Sequence, residues 1–141
     1  MATGTAGDTG QRYHTNQEHY LIKRVSYADW SGTNNDRKTV GVLPPRAIVT
    51  GGSTWIITGF NDTTGDDLDI GVSGTDDDLF ASGVDVNTGT TLTAFDDLAD
   101  ANRYTATART VTVNFTTAPT GDGTAGEAII YLTYVIAPSV S

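Results

Sequence analysis

Residues 68–86, LDIGVSGTDDDLFASGVDV, combine two patterns that together indicate how the chain folds. LDIGV alternates apolar and polar residues with the two-residue period of a strand, so that Leu68, Ile70 and Val72 face a core. The stretch then carries three consecutive aspartates and contains no basic residue. We interpret it as a core strand followed by an exposed acidic turn, after which Phe80 returns the chain to the core.

The same strand-and-turn pattern recurs along the 141 residues. Thr and Gly are abundant, whereas there are only two Glu, two Lys and one Met, a composition that favours strands over helices. STWIITGF and EAIIYLTYVIAP are apolar on both faces, which is typical of central strands or of a subunit contact. We expect a helical turn only in DDLADANRY, capped near Thr93. The strands are predicted in HYLIKRVSYADW, in two short segments of TVGVLPPRAIVTGG, and in STWIITGF, LDIGV, DLFASGVDV, TTLTAF, RTVTVNFTT and EAIIYLTYVIAP.

About eight short strands with turn residues between them predict an all-β protein, an antiparallel β-sandwich whose preferred architecture is a jelly roll. Residues 19–141 form one domain by length. Residues 1–18 are rich in Gly, Thr and Ala and lack periodicity, so we expect a flexible N-terminal arm that orders, if at all, against a neighbour.

Charge excludes one large class of partners. The net charge is −9, and phosphate backbones require a basic footprint, so we expect no nucleic-acid partner. Residues 47–102 contain eleven Asp and neither Lys nor Arg, whereas residues 1–46 carry six basic and four acidic groups. The N-terminus has no apolar signal-like stretch and no run is long enough to span a membrane, so synthesis in the cytoplasm without a membrane partner is expected.

The aspartates were tested as metal ligands. No window from 61 to 78 fits an EF-hand loop, because apolar residues occupy positions that must be polar. A nonstandard Ca²⁺ site assembled from two loops stays open as the alternative to a solvated acidic rim. Its candidate ligands are Asp67, Asp69, Asp76 and Asp78.

Catalytic patterns are poorly represented, and we expect neither an enzyme nor a cofactor. Cysteine is absent, and the only two histidines are His14 and His19. GVSG at 71–74 is one residue short of a nucleophile elbow and lacks its strand-to-helix context. The Gly-rich segments carry no P-loop lysine. Paired aspartates could support glycoside hydrolysis, but a small sandwich leaves little room for a sugar cleft.

The segment VGVLPPRAIVTGGSTWIITGFNDTTGDDLDIGVSGTDDDLFASGVDV resembles small virion structural proteins of tailed bacteriophages. The resemblance rests on Val40–Pro44, Thr54–Asn61, Leu68–Gly74 and Asp77–Phe80, and it extends over about residues 20–136. Many such proteins are capsid decoration, or cement, proteins.

The resemblance implies a non-enzymatic, jelly-roll-like homotrimer that binds the major capsid protein on the outer capsid surface and stabilises the head. The chain would then be located in the virion. Contacts to the capsid or to other subunits are expected near the arm, at Arg12, Tyr13, His14, His19 and Tyr20. An arm can add a strand to a neighbour's sheet.

The sequence leaves three other functions open. A tail or fibre-tip sandwich that binds a host glycan is the main alternative, and exposed clustered aromatics would favour it. A small hydrolase would need a cleft with a carboxylate of raised pKa. A secreted carbohydrate-binding module is disfavoured by the N-terminal sequence. For Trp30 and Trp55, a core or subunit-contact role is expected over a sugar-binding role.

Overall fold

The computed structural model describes residues 17–30 and 35–138. Within these ranges the chain forms eight strands in two antiparallel sheets, which confirms the all-β prediction. None of the helices there is long and apolar enough to cross a membrane. The strands are β1 (His19–Ser26), β2 (Lys38–Leu43), β3 (Ala47–Thr58), β4 (Asp67–Val72), β5 (Asp76–Asp85), β6 (Thr91–Ala94), β7 (Arg109–Phe115) and β8 (Glu127–Ile136).

The strand order is that of a jelly roll. Sheet I has the order β1-β8-β3-β6 and sheet II the order β2-β7-β4-β5. Consecutive strands therefore pass from one sheet to the other, except at β4 and β5, which pair within sheet II. The first and last strands are neighbours along their whole length, from His19 opposite Tyr134 to Ser26 opposite Glu127.

The core lies between the two sheets. Leu68, Ile70 and Val72 are buried there as the alternation predicted, and Phe80 joins them from β5. From β7, Val111, Val113 and Phe115 point inward, and Ala128, Ile130 and Leu132 do so from β8. A two-residue period therefore places one side of each strand in the core and leaves the other side outward.

One strand is longer than predicted. Gly51 and Gly52 were interpreted as the end of a short β segment, but β3 runs through them without interruption. A register shift between Val49 and Gly51 marks a bulge against β8. A side chain at position 52 would overlap the ring of Phe95, so glycine there allows β6 and the chain beyond it to pack closely.

The acidic stretch 76–78 is not a turn. The turn is formed by residues 73–75, and the aspartates begin β5. Val72 pairs with Asp76 and Ile70 with Ala81, so the β5 side of this pair holds extra residues, which form a bulge. The backbone of Asp76 and Asp77 lies where a side chain at position 71 would stand.

The short helix also differs from its prediction. Helix α1 spans Asp100–Arg103, follows Ala99 and has no side-chain cap, whereas the predicted cap Thr93 belongs to β6. Arg109 holds the helix from β7. Its guanidinium lies 5.4 Å from the Phe80 ring centroid and donates to the carbonyl oxygens of Asn102 and Arg103.

Asp62 joins two loops at one end of the sandwich. Its Oδ1 accepts hydrogen bonds from the backbone N–H of Thr64 at 3.0 Å, Gly65 at 3.1 Å and Thr120 at 3.0 Å. Its Oδ2 accepts one from the N–H of Gly121 at 2.8 Å. Burial alone would raise the pKa of Asp62, but these four donors outweigh it and hold the pKa well below its usual range.

Candidate assembly surface

The outward sides of the two sheets differ sharply in chemistry. On sheet I, β-pairing places apolar side chains next to one another across all four strands. Trp55 on β3 lies between Ile129 on β8 and Leu92 on β6. Ile22 on β1 lies beside Tyr131 on β8, two residues from Ile129. We call the resulting surface the apolar face; it comprises Tyr20, Ile22, Trp55, Leu92, Ile129 and Tyr131.

Much of the apolar face is exposed. The accessible fraction is 67% for Tyr20, 58% for Ile22, 46% for Trp55 and 64% for Leu92. Ile129 and Tyr131, in the middle of the sheet, are partly buried. The largest contiguous apolar patch on a soluble protein is often functional, so the apolar face is a candidate contact surface.

Charge on the apolar face is neutralised locally. The charged side chains that β1 and β8 turn outward are Arg24 and Glu127, and these two form an ion pair. Thr50 hydrogen-bonds to both Glu18 and Thr133, forming a polar rim at the other end. An apolar centre with a satisfied polar rim is the usual anatomy of a protein–protein contact.

The outward side of sheet II is acidic. Asp67 and Asp85 are direct cross-strand partners on β4 and β5. Burial, followed by the nearby carboxylates of Asp85, Asp66 and Asp69, raises the pKa of Asp67 above its usual range. We call this surface the acidic face; it comprises Asp67, Asp69, Asp85 and residues 76–78.

One ion pair fixes the bulge of β5 on the acidic face. Arg37, just before β2, binds Asp77 with two hydrogen bonds, the Nε–Oδ1 distance being 2.7 Å. The Arg37 guanidinium lowers the pKa of Asp77 and the carboxylate raises the pKa of Arg37. Both side chains are well exposed, so the pair contributes positioning more than stability.

Three of the four calcium candidates, Asp69, Asp76 and Asp78, line one open depression together with Arg37 and Asp77. Asp69 is nearly buried, and its Oδ1 accepts from the Gly83 N–H at 2.9 Å and the Thr116 hydroxyl at 2.8 Å. Asp67 faces Asp85, whereas Asp76 hydrogen-bonds to Asp78, which raises the pKa of Asp76. In residues 17–30 and 35–138, no three His, Cys, Asp or Glu side chains are grouped as metal ligands. The calcium alternative stays a prediction.

Two of the five predicted contact residues fall within the described chain. Tyr20 is at the edge of the apolar face. His19 points to the other side of β1 and contacts the ring of Tyr134, with centroids 5.4 Å apart. Arg12, Tyr13 and His14 lie outside the described residues. The contact role of all five stays a prediction.

A small cavity of about 180 Å³ lies at the loop end of the sandwich and is mostly apolar. Trp30, Phe60 and Phe115 form aromatic walls, and Asp62 is the carboxylate beside them. Because both Asp62 oxygens already accept backbone hydrogen bonds and its pKa is lowered, this carboxylate is a poor general acid at neutral pH.

Most of the apolar face was not predicted from the sequence, because neither Ile22 nor Leu92 was assigned a contact role. Trp55 was expected in the core or in a subunit contact, and the structure places it outward. The sequence feature that pointed to this face was in β8. Both sides of this strand are apolar, which indicated either a central strand or an oligomer contact.

Comparisons with known proteins agree on the architecture. No protein-family model and no curated protein matches the chain. Solved structures with a similar fold include chains from three phage capsids. A chain from the capsid of Ralstonia phage GP4 has a TM-score of 0.64 and 18% identity, covering 89% of this chain and 87% of that one.

Two more phage capsids contain similar chains. For the cyanophage Pam1 capsid the TM-score is 0.60 with 19% identity, covering 88% of each chain. For the capsid of Helicobacter pylori bacteriophage KHP30 it is 0.52 with 15% identity, covering 89% of this chain and 93% of that one. At these identities the likeness defines the fold, and it supports the resemblance to virion structural proteins at that level. The chain has a jelly-roll fold that also occurs in the capsids of bacteriophages.

Proposed function

We propose that this chain is a non-enzymatic structural protein of a bacteriophage virion, which binds the major capsid protein on the outer surface of the head and stabilises it. The observation that carries the proposal is the fold shared with chains of three phage capsid structures over nearly the whole length of each partner. A decoration protein acts by contact, so it needs surfaces and no cofactor.

The two outer faces support this role. The apolar face offers a surface for protein–protein contact, while the acidic face suits exposure to solvent, where charge keeps a densely packed protein soluble. Many copies on a symmetric lattice make weak individual contacts persistent, because each bound copy raises the effective concentration of its neighbours' sites. We propose a homotrimer as the unit that attaches.

Residues 1–18 are proposed as an arm that reaches a neighbouring subunit, and residues 19–141 as the domain it serves. The arm precedes β1, which is an edge strand of sheet I. Arg12, Tyr13 and His14 would act within the arm, with His19 and Tyr20 where it joins the domain. In this arrangement the chain resides on the capsid surface after synthesis in the host cytoplasm.

The test is a cryo-EM map of the particle that carries the chain. We expect density for the jelly roll on the outer capsid lattice. Particles lacking the chain should release DNA at lower temperature than complete particles, and added purified protein should restore them. Density restricted to the tail, or absence of the chain from the particle, contradicts the proposal.

Glycan binding by a tail module is the second candidate, because Trp55 and Tyr20 are exposed on one face. Sugar platforms surround an aromatic ring with hydrogen-bonding groups, whereas Trp55 lies between Ile129 and Leu92. A glycan array probed with the full chain distinguishes the two candidates: reproducible binding that is lost in Trp55→Ala would support the tail module.

A further inference from the structure

We infer that the apolar face is covered by a second copy of this chain, so that copies associate through the outward side of sheet I. The inference rests on the proposed function, because it names the partner of one surface of the proposed decoration protein. It is nevertheless tested on the purified chain alone.

The charge distribution selects this face for self-association. The chain carries a net charge of −9, and the acidic face concentrates carboxylates, with Asp67 and Asp85 directly opposite each other on β4 and β5. Two copies that approached through their acidic faces would repel each other. On the apolar face, Arg24 and Glu127 neutralise each other, so like-charge repulsion between two copies is weaker there than between two acidic faces, even with Glu18 at the rim.

The exposed area also fits a contact between copies. A fully exposed aromatic side chain presents roughly 150–250 Å², so with the neighbouring aliphatic residues the face offers on the order of 500 Å² per copy. Two copies then bury on the order of 1,000 Å² in total, the lower end of specific interfaces. Association should therefore be concentration-dependent in solution and reinforced where a lattice holds copies side by side.

The apolar residues extend to both edges of sheet I. Tyr20 and Ile22 lie on the edge strand β1, and Leu92 lies on the opposite edge strand β6. Substitutions at the two edges therefore test the same surface independently, and neither position contributes a side chain to the core.

The experiment measures molar mass by sedimentation equilibrium over a range of concentrations. We expect the full chain to exceed its monomer mass of 14.8 kDa with rising concentration. Ile22→Lys and Leu92→Lys should each raise the dissociation constant at least about tenfold, because a lysine would be desolvated among apolar side chains. Circular dichroism and thermal unfolding verify that each variant is folded.

Val42→Lys is the matched control. Val42 is 54% exposed, close to Ile22, but it projects from β2 on the outward side of sheet II, opposite Thr110. The same change of charge there should leave the dissociation constant unchanged. A chain that stays monomeric up to about 1 mM, or a control that dissociates the assembly as strongly as Ile22→Lys, overturns the inference.

Binding to capsid particles separates this inference from the proposed function. If the chain is monomeric in solution yet binds particles at full occupancy after Ile22→Lys, the contact between copies is wrong and the decoration role stands. If the chain associates through this face but never binds particles, the decoration role fails and the contact stands.

Discussion

Asp62 shows how one carboxylate can organise a loop region that has little secondary structure of its own. Its four backbone donors come from two loops that are more than fifty positions apart in sequence. Hydrogen bonds to an ionised acceptor are stronger than neutral ones, and buried N–H groups without an acceptor are costly. The structure of these two loops therefore depends on Asp62 being ionised.

Replacing Asp62 with Asn should lower the free energy of unfolding by about 3 kcal/mol at neutral pH, because a neutral amide accepts more weakly and its NH₂ would face an N–H donor. The lowered pKa adds a pH signature. The stabilisation from Asp62 is present above the pKa of an unfolded aspartate and is lost as pH falls through the lower folded value. Urea unfolding at several pH values measures both effects.

The exposed Asp100→Asn is the control for that experiment, since Asp100 begins helix α1 and accepts no comparable set of donors. The free energy of unfolding of this variant should differ from that of the parent by less than about 1 kcal/mol. Equal destabilisation by the two substitutions would show that Asp62 is an ordinary surface carboxylate.

The contribution of Asp67 to stability should depend on pH in the opposite direction to that of Asp62. Its pKa is raised, so the folded state takes up the proton first on acidification, and stability from this group increases as pH falls through the folded pKa. Asp67→Asn should therefore stabilise the protein at neutral pH by about 0.5 kcal/mol, because it removes a charge that is partly desolvated by burial and that lies directly opposite the like charge of Asp85. The gain should disappear in acid. A stabilisation that persists unchanged at low pH would exclude charge repulsion as its cause.

Within sheet II, Gly71 allows the bulge of β5 to fold against β4. A methyl group at position 71 would overlap the backbone of Asp76 and Asp77, which cannot move aside as a side chain tip can. Gly71→Ala should lower the free energy of unfolding by about 2 kcal/mol, in the range of overpacked sites. Urea denaturation monitored by fluorescence measures the change.

Gly51→Ala is the matched comparison in sheet I. The nearest atom to an added methyl there is the Thr133 hydroxyl oxygen at 3.6 Å, an ordinary contact. This substitution should be neutral or slightly stabilising, because alanine loses less backbone entropy on folding than glycine. A greater loss of stability at position 51 than at position 71 would contradict this account of the bulge.

The strands and glycines described above show which features of the fold could be predicted from the sequence and which could not. β4 and β7 were predictable, because one apolar side and one polar side produce a clear two-residue period. Gly51 and Gly52 were interpreted as the end of a short β segment, because the sequence does not reveal that Phe95 needs the space beside Gly52. Three aspartates in a row likewise indicated a turn, although Arg37 and the bulge accommodate them in β5.

The apolar face was only partly predictable for a related reason. A run of apolar residues shows that a strand has two apolar sides. It does not show whether the second side meets another layer of the same chain or a separate molecule. β8 was correctly predicted as central, and the exposure of Trp55 and Leu92 follows from strand order, which sequence alone did not determine. Strand order depends on pairings between distant residues.

Distant pairings should also govern how the molecule folds. β1 and β8 are separated by most of the chain, yet they pair in full register, and β3 completes its own pairing only when β8 arrives. We expect refolding from urea in milliseconds to seconds, as for other sandwiches dominated by nonlocal contacts. Stopped-flow fluorescence of the buried Trp30 measures the rate. Completion within microseconds would contradict this expectation.

The pairing of His19 with Tyr134 has a practical consequence for protein engineering. Because β1 begins beside the end of β8, the chain enters and leaves the domain at one end of sheet I, and tags fused to either side would emerge together. A short linker between them, with new termini opened at Gly74 in an unobstructed turn, gives a circular permutant that retains every strand pair. If that permutant keeps the parent's melting temperature, the order in which the strands are synthesised is dispensable for the jelly roll.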